Sequence, residues 1–405
     1  MYFSQSLSRT VQNYADMATS ATLIQNLIVG AGPAGLAVAG RMRQLGIPFE
    51  ILEKSDHVAD AWRRHYDRLC LHTIKDLSHL PGLPFPENYP QYVPRRLLVD
   101  YYESYAQKYQ IHPMTGQEVV HLRRKQGNWL VRTTKQDFRA ANVVIATGTN
   151  RIPFLPQWPG QEVFGGQLLH SSAYKNAVPY SGKKVLVVGM GNSGAEIALD
   201  LSENGAGVHL SLRGPVNIVP RDFLGNPTQK TGLLVAKLPN WLGDQIGVLL
   251  RRLTIGDLSR YGIATPAMPP SKQLRLLGKT PVIDIGTVAK IKSGKIKVQP
   301  AVQSFTPEGV VFANGSRLPF DAVILATGYR SQLQDFIEYT KGLLDDNDLP
   351  RCVIGEGEFQ GLYFVGFDNY TPGGILGVIN RDSEVVANAI ATSGANWPVD
   401  EELPE

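Results

Sequence analysis

Two glycine-rich turns, each at the end of an apolar run, constrain this 405-residue chain more than anything else in it. The first is Gly30-Ala31-Gly32-Pro33-Ala34-Gly35, after Leu27-Ile28-Val29. The second is Gly189-Met190-Gly191-Asn192-Ser193-Gly194, after Val185-Leu186-Val187-Val188. Each run reads as a buried parallel strand, and each glycine set as the turn into a helix whose N-terminus can hold a pyrophosphate. The end of the following strand then reads the ribose. Roughly 20 residues past the first turn, Phe49-Glu50-Ile51-Leu52-Glu53 ends in a carboxylate, with Lys54 beside it; a carboxylate suits an unphosphorylated ribose diol. At the matching place after the second turn, Val208-His209-Leu210-Ser211-Leu212-Arg213 ends in a guanidinium, which suits a 2′-phosphate, and Ser211 would add a hydroxyl donor. The expectation is two dinucleotides on one chain, FAD at the first turn and NADPH at the second, and therefore a redox enzyme.

The order of elements predicts an α/β chain of two nested Rossmann-like dinucleotide-binding domains. A buried strand, Asn142 to Ile145, ends in Ala146-Thr147-Gly148, and a second, Ala322 to Leu325, ends in Ala326-Thr327-Gly328. These small-residue turns stand on either side of the second fingerprint, where the chain would cross between domains and approach a cofactor closely. An FAD domain over 23–177 and 319–397 would thus enclose an NADPH domain over 178–318, after an N-terminal extension over 1–22. Gly361 to Gly366 would be the last strand of the FAD domain, with a closing helix from Asp382 to Thr392.

Composition excludes several classes. A net charge of +4 with no dense Lys/Arg cluster makes no case for nucleic acid. The two cysteines, Cys70 and Cys352, lie outside any C-x-x-C pair, which sets aside a disulfide reductase. No His/Cys/Asp/Glu pattern suggests a metal. The polar start lacks the apolar core of a signal peptide, and no run of about 18 uncharged apolar residues suggests a transmembrane helix. A cytoplasmic protein is expected, with its oligomeric state open. Leu233 to Leu258 reads either as a helical cover broken at Pro239 or as an amphipathic membrane-surface helix.

Between the fingerprints, Phe164-Gly165-Gly166-Gln167-Leu168-Leu169-His170-Ser171-Ser172-Ala173-Tyr174 fits F-x-G-x-x-x-H-x-x-x-Y. By chemistry alone His170 is a structural hydrogen-bonder; its place at a domain crossover suggests a hinge or cofactor-positioning residue rather than a proton carrier. With this motif, the fingerprints, Tyr66-Asp67-Arg68-Leu69-Cys70-Leu71-His72, Leu80 to Pro86, Gly278 to Gly286, Lys290 to Gly294 and Leu325 to Ser331, the chain resembles class B flavin-dependent monooxygenases. Within that group it is most similar to the YUCCA indole-3-pyruvate monooxygenases. Tyr174-Lys175 departs from the Trp-Pro or Trp-Asp of Baeyer–Villiger enzymes. After Phe367 the stretch Asp368 to Gly377 departs from the YUCCA pattern, and Thr73-Ile74-Lys75 stand where animal-type members carry an asparagine.

The resemblance implies that Ala61, Trp62 and His72 line the FAD site, that the Val119 backbone meets the adenine, and that Ala146-Thr147-Gly148 and Thr327-Gly328 approach the cofactors. Asn192 and Ser193 would donate to NADPH phosphates. It implies an NADPH- and O2-dependent cycle through a C4a-(hydro)peroxyflavin acting on a small-molecule substrate. No catalytic residue is fixed by it; His170, Lys75 and Asn192 are candidates. The first reading is oxidative decarboxylation of an aryl 2-oxo acid such as indole-3-pyruvate, with Lys75, Arg95 or Arg381 on the carboxylate. The rivals are N- or S-oxygenation of a soft nucleophile and, from another class, a non-catalytic flavin redox sensor.

Overall fold

The computed structural model describes residues 21–393. The expected extension over 1–22 lies almost wholly outside the described residues, as does the end of the 319–397 segment.

The first apolar run forms β1 (Thr22–Val29), followed at once by helix α1 (Pro33–Gln44) and β2 (Glu50–Leu52). Proline at the first helical turn explains the abrupt start, because the missing N–H would have had no intrahelical partner there. Past the short helix Asp60–Arg64 come helix α2 (Arg95–Lys108), then β3 (Val119–Lys125), β4 (Asn128–Thr133) and β5 (Asp137–Ile145). β1 pairs with β2 and β5 in parallel, while β3 and β4 extend the sheet antiparallel. Leu27 and Val29 pack on one face of β1, and Ile28 packs on the other against Leu36 and Val38 of α1. A strand covered on both faces must be apolar throughout, which is why β1 reads as a run rather than an alternation.

The second sheet holds β6 (Gln167–His170), β7 (Lys184–Val188), β8 (Gly207–Ser211), β9 (Ile296–Gln299) and β10 (Ala322–Leu325). Its order is β9-β8-β7-β10-β6 and every pairing is parallel. It therefore takes in β6 and β10, both of which fall outside the 178–318 bounds drawn from sequence. Helix α3 (Asn192–Glu203) follows β7 as α1 follows β1. The chain returns to the first sheet with β11 (Leu362–Phe364), parallel to β5 at Val143–Ile145. The two crossings run side by side: Ile152–Pro153 pairs antiparallel with Tyr329–Arg330, and the Phe154 N–H donates to the Gly328 carbonyl at 2.9 Å. Both Ala-Thr-Gly turns feed this one link.

Three helices cover the second domain: α4 (Thr228–Val235), α5 (Asn240–Thr254) and α6 (Pro270–Leu277). The break at Pro239 is present, as the cap of α5. A last helix, α7 (Ile375–Ser393), packs its Val386, Ala387 and Ile390 on the same core as α1; it begins earlier than the Asp382 start read from sequence. No helix among the described residues is long and apolar enough to cross a membrane.

Buried His209, on β8, gives the fold a pH dependence. Burial, with Lys184 and Lys297 nearby, pushes its pKa down to about 4. Above its free value of about 6.5 the imidazole is neutral both folded and unfolded, and its contribution is complete. As pH falls toward about 4, the unfolded chain binds a proton that the folded chain refuses, and stability drops. Thermal melts across this window should show a declining Tm, and the decline should be shallower in His209→Gln. An unchanged slope in the variant would contradict the assignment.

Candidate functional site

The first turn opens on a cavity of about 520 Å³. Gly30, Gly32, Pro33 and Ala34 form one wall, Glu53 and Lys54 another, and Ala61 and Trp62 a third; Val119, Ala146, Thr147 and Gly148 close it. The positions expected around the first dinucleotide are thus brought together, with two exceptions. Gly35 is buried behind the turn, where an added Cβ would meet the Gly30 carbonyl oxygen at 1.8 Å. His72 lies elsewhere, paired with Glu196 of α3.

Each glycine of the turn has its own task. Gly30 has φ +105°, and a Cβ on it would lie 2.7 Å from the Ala146 carbonyl oxygen, so β1 and β5 could not close as they do. Gly35 lets α1 lie against the strand end. A Cβ on Gly32 would meet nothing within 4 Å, so its bareness serves the open side, where a ligand's phosphates would approach the first helical N–H groups. The Glu53 carboxylate is oriented by the Ala31 N–H at 2.8 Å on one oxygen and by the Ser55 N–H and hydroxyl on the other. Ala59, in the left-handed region at φ +55°, donates its N–H to the Ala31 carbonyl and starts the short helix Asp60–Arg64 that carries Ala61 and Trp62. The Thr147 hydroxyl is buried without a hydrogen-bond partner, an orphan that a bound polar group would satisfy.

The second turn repeats the design. A Cβ on Gly189 would stand 2.5 Å from the Ala326 carbonyl oxygen, and one on Gly194 2.0 Å from the Gly189 carbonyl oxygen, whereas Gly191 is open. Arg213 is exposed and, among the described residues, engages no carboxylate or carbonyl, which leaves its fork available. Asn192 is only half available: its side-chain oxygen accepts from the Ile283 N–H at 2.8 Å, leaving the amide nitrogen to donate. Ser193 lies in hydrogen-bond contact with the Tyr66 phenol.

Several expected roles do not survive the geometry. Ser211 is 2% exposed and donates to the Pro300 carbonyl at 2.7 Å, so it faces the sheet interior and offers nothing to a phosphate. Thr327 donates to the Phe154 carbonyl and the Gly328 carbonyl accepts from His170; both serve the crossover, and Tyr329 rather than either lines the first cavity. Lys75 donates to the Glu87 and Tyr89 carbonyls at 2.7 and 2.8 Å, Arg95 pairs with Asp67, and Arg381 pairs with Asp368 and Asp382. Arg95 and Arg381 are thus paired with acids and Lys75 is held by neutral carbonyls, and none of the three lines the first cavity.

His170 is buried, and burial lowers its pKa. Its Nδ1 accepts from the Ser172 N–H at 3.1 Å, so Nε2 carries the proton and donates to Gly328 at 3.1 Å. A neutral ring with both nitrogens engaged ties β6 to the second Ala-Thr-Gly turn. It positions the crossover and is not arranged to carry protons.

Sequence reasoning missed the clasp between the two domains. Arg68 reaches Asp200 and Glu203 of α3, His72 meets buried Glu196, and the Tyr66 phenol is pushed far above its usual range by burial and by Glu196. The signal was present in the chain: an acid at Glu196, set among Ala195, Ile197, Ala198 and Leu199, needs a partner. His65, not singled out from the sequence, also lines the first cavity, and burial lowers its pKa.

Two cradles for dinucleotides, one on a mixed sheet and one on an all-parallel sheet, define a two-domain α/β oxidoreductase. The pyridine nucleotide-disulphide oxidoreductase family model matches residues 27–221. The probable indole-3-pyruvate monooxygenase YUCCA4 of Arabidopsis thaliana is 40% identical over 349 residues, covering 84% of each chain. Among solved structures, a flavin-containing monooxygenase from Stenotrophomonas maltophilia matches 92% of this chain and 99% of its own, with a TM-score of 0.70 at 20% identity. Cyclohexanone monooxygenase from Rhodococcus sp. Phi1 bound to NADP+ matches 93% of this chain and 86% of its own, with a TM-score of 0.67 at 18% identity. This chain belongs to the YUCCA family of flavin monooxygenases, and it is an enzyme.

The contrast between glycines can be measured. Gly35→Ala should cost ~1–3 kcal/mol of stability through overpacking, whereas Gly32→Ala should stay within ~0.5 kcal/mol, both read by denaturant unfolding. Equal losses would contradict the separate tasks assigned to them.

Proposed function

We propose that this chain is an NADPH- and O2-dependent monooxygenase that oxidatively decarboxylates an aryl 2-oxo acid such as indole-3-pyruvate. In balanced form, the 2-oxo acid, O2, NADPH and a proton give the acid shortened by one carbon, CO2, NADP+ and water. The observation that carries this reading is the pair of cradles with readers of opposite charge, Glu53 at one and free Arg213 at the other. The YUCCA relatives, named for indole-3-pyruvate, supply the substrate class.

The residues present fit both cofactors. FAD would lie in the first cavity, its pyrophosphate at Gly32 and the N-terminus of α1, its ribose on Glu53, and its remaining length along Trp62, Val119 and Thr147. NADPH would lie at the N-terminus of α3, with the Asn192 amide nitrogen and backbone N–H groups on the phosphates and Arg213 on the 2′-phosphate. Bound FAD supplies the redox chemistry, taking two electrons from NADPH and activating O2. The chain orients the two partners and keeps water out. The clasp of Arg68, His72 and Tyr66 on α3 fixes one domain against the other, and His170 holds the crossover. Ile375, Leu376 and Ile379 give the first cavity an apolar end that excludes water.

A second reading, N- or S-oxygenation of a soft nucleophile, draws on one observation: Lys75, Arg95 and Arg381 are all engaged within the protein. A soft nucleophile would need none of them.

Purified protein should be yellow and should oxidise NADPH well ahead of NADH. Arg213→Asp should lose ~1.5–3 kcal/mol of NADPH binding while NADH use changes little; equal loss for both would sink the Arg213 assignment. Incubation with indole-3-pyruvate should release CO2 and indole-3-acetate. Oxygenated amines or sulfides without CO2 release from any 2-oxo acid would favour the second reading.

A further inference from the structure

A second cavity, of about 300 Å³, lies away from both glycine turns, enclosed by α4, α5 and α6 with Pro372 from the return segment. Its walls are largely apolar, including Val219, Phe223, Val235, Leu250 and Leu274. Among the polar residues that break that lining, two are left without full compensation. The Thr228 hydroxyl is buried with no hydrogen-bond partner. The half-buried Arg251 guanidinium donates to the Asn217 side-chain oxygen at 2.6 Å and, among the described residues, has no carboxylate beside it. The other cation on the wall, Arg275, is neutralised by Asp244, which Ser271 also holds.

An uncompensated cation in an apolar wall costs solvation energy, and burial duly lowers the Arg251 pKa. A ligand carboxylate would remove that cost, the free hydroxyl would donate to one of its oxygens, and the remaining walls would take an apolar body. At about 300 Å³ the cavity is at the small end of the range for ligand sites, ~300–1,000 Å³. We propose that the helical cover of the second domain holds a binding site for a small carboxylate with an apolar body, anchored by Arg251 and Thr228. It shares no lining residue with the FAD cavity, and no residue of either glycine turn lines it. It rests on the cavity's own chemistry rather than on which oxygenation the enzyme performs.

The site also has a route to the return segment. Gln229, next to Thr228, accepts from the Ile74 N–H at 2.8 Å and donates to the Gly373 carbonyl at 2.7 Å. Pro372 lines this cavity, while Ile375 and Leu376 line the first. Occupancy would therefore be felt along the return segment that runs from one cavity to the other.

Calorimetric titration of the full-length holoenzyme, saturated with FAD and NADP+, tests this with indole-3-acetate against its uncharged isostere indole-3-acetamide. The acid should bind saturably and about tenfold or more tighter than the amide, the value of a charge-assisted bond. Arg251→Met should erase that preference, and Thr228→Val should weaken the acid alone. Gly247→Leu should abolish binding of both, since an added Cβ there meets only the Ser271 hydroxyl at 3.7 Å and the larger side chain would fill the cavity. Unchanged melting and flavin absorbance would show that the variants fold. Equal binding of acid and amide, or an acid preference that survives Arg251→Met, would overturn the proposal. These readouts need no turnover, so a failure of the decarboxylation reading would leave them standing.

Discussion

The structure depends on two close approaches between a strand end and the helix that follows it. At Gly35 and at Gly194 the helix backbone comes so near the preceding turn that a Cβ would sit 1.8 and 2.0 Å from the carbonyl oxygens of Gly30 and Gly189. Only glycine permits this, and the approach aims the first N–H groups of α1 and α3 outward from the sheets. Gly30 and Gly189 add a second constraint, each pressing on the first residue of an Ala-Thr-Gly turn through Ala146 or Ala326. The same glycines that shape each cradle therefore also set where the chain crosses between domains.

This coupling accounts for the nested arrangement. β5 and β10 each end beside a glycine turn, and each is followed by a short extended segment. Those segments pair with one another as the link between the two sheets. His170, neutral and engaged at both ring nitrogens, secures that link from β6. The clasp of Tyr66, Arg68 and His72 on α3 secures the domains again, from the side of the second cradle. An oxidoreductase that passes electrons between two bound dinucleotides needs such fixed geometry, because transfer demands contact between them.

Much of this was legible in the sequence because backbone geometry wrote it there. Glycine spacing, buried runs and the sign of Glu53 and Arg213 follow from local rules that hold whatever surrounds them. What failed depended on where a side chain points once distant elements pack. Ser211 is the last residue of β8 and Arg213 lies two residues beyond it in the bend that follows, so one donates to the Pro300 carbonyl while the other faces solvent. Lys75, Arg95 and Arg381 read alike as free cations, but each finds partners brought by the fold. The Arg251 cavity was invisible for the same reason, since three helices and a proline far along the chain enclose it. Leu233 to Leu258 falls in α4 and α5 of the helical cover, broken at Pro239 as read from sequence, with Trp241, Leu249 and Leu253 exposed.

The most direct test of the account is a crystal structure of the protein with FAD and NADP+ both bound. It should show the FAD pyrophosphate against Gly32 and the N-terminus of α1 with the ribose on Glu53, and the NADP+ 2′-phosphate on Arg213 with its pyrophosphate at the N-terminus of α3. Either pyrophosphate seated away from its glycine turn, or a 2′-phosphate out of reach of Arg213, would contradict it.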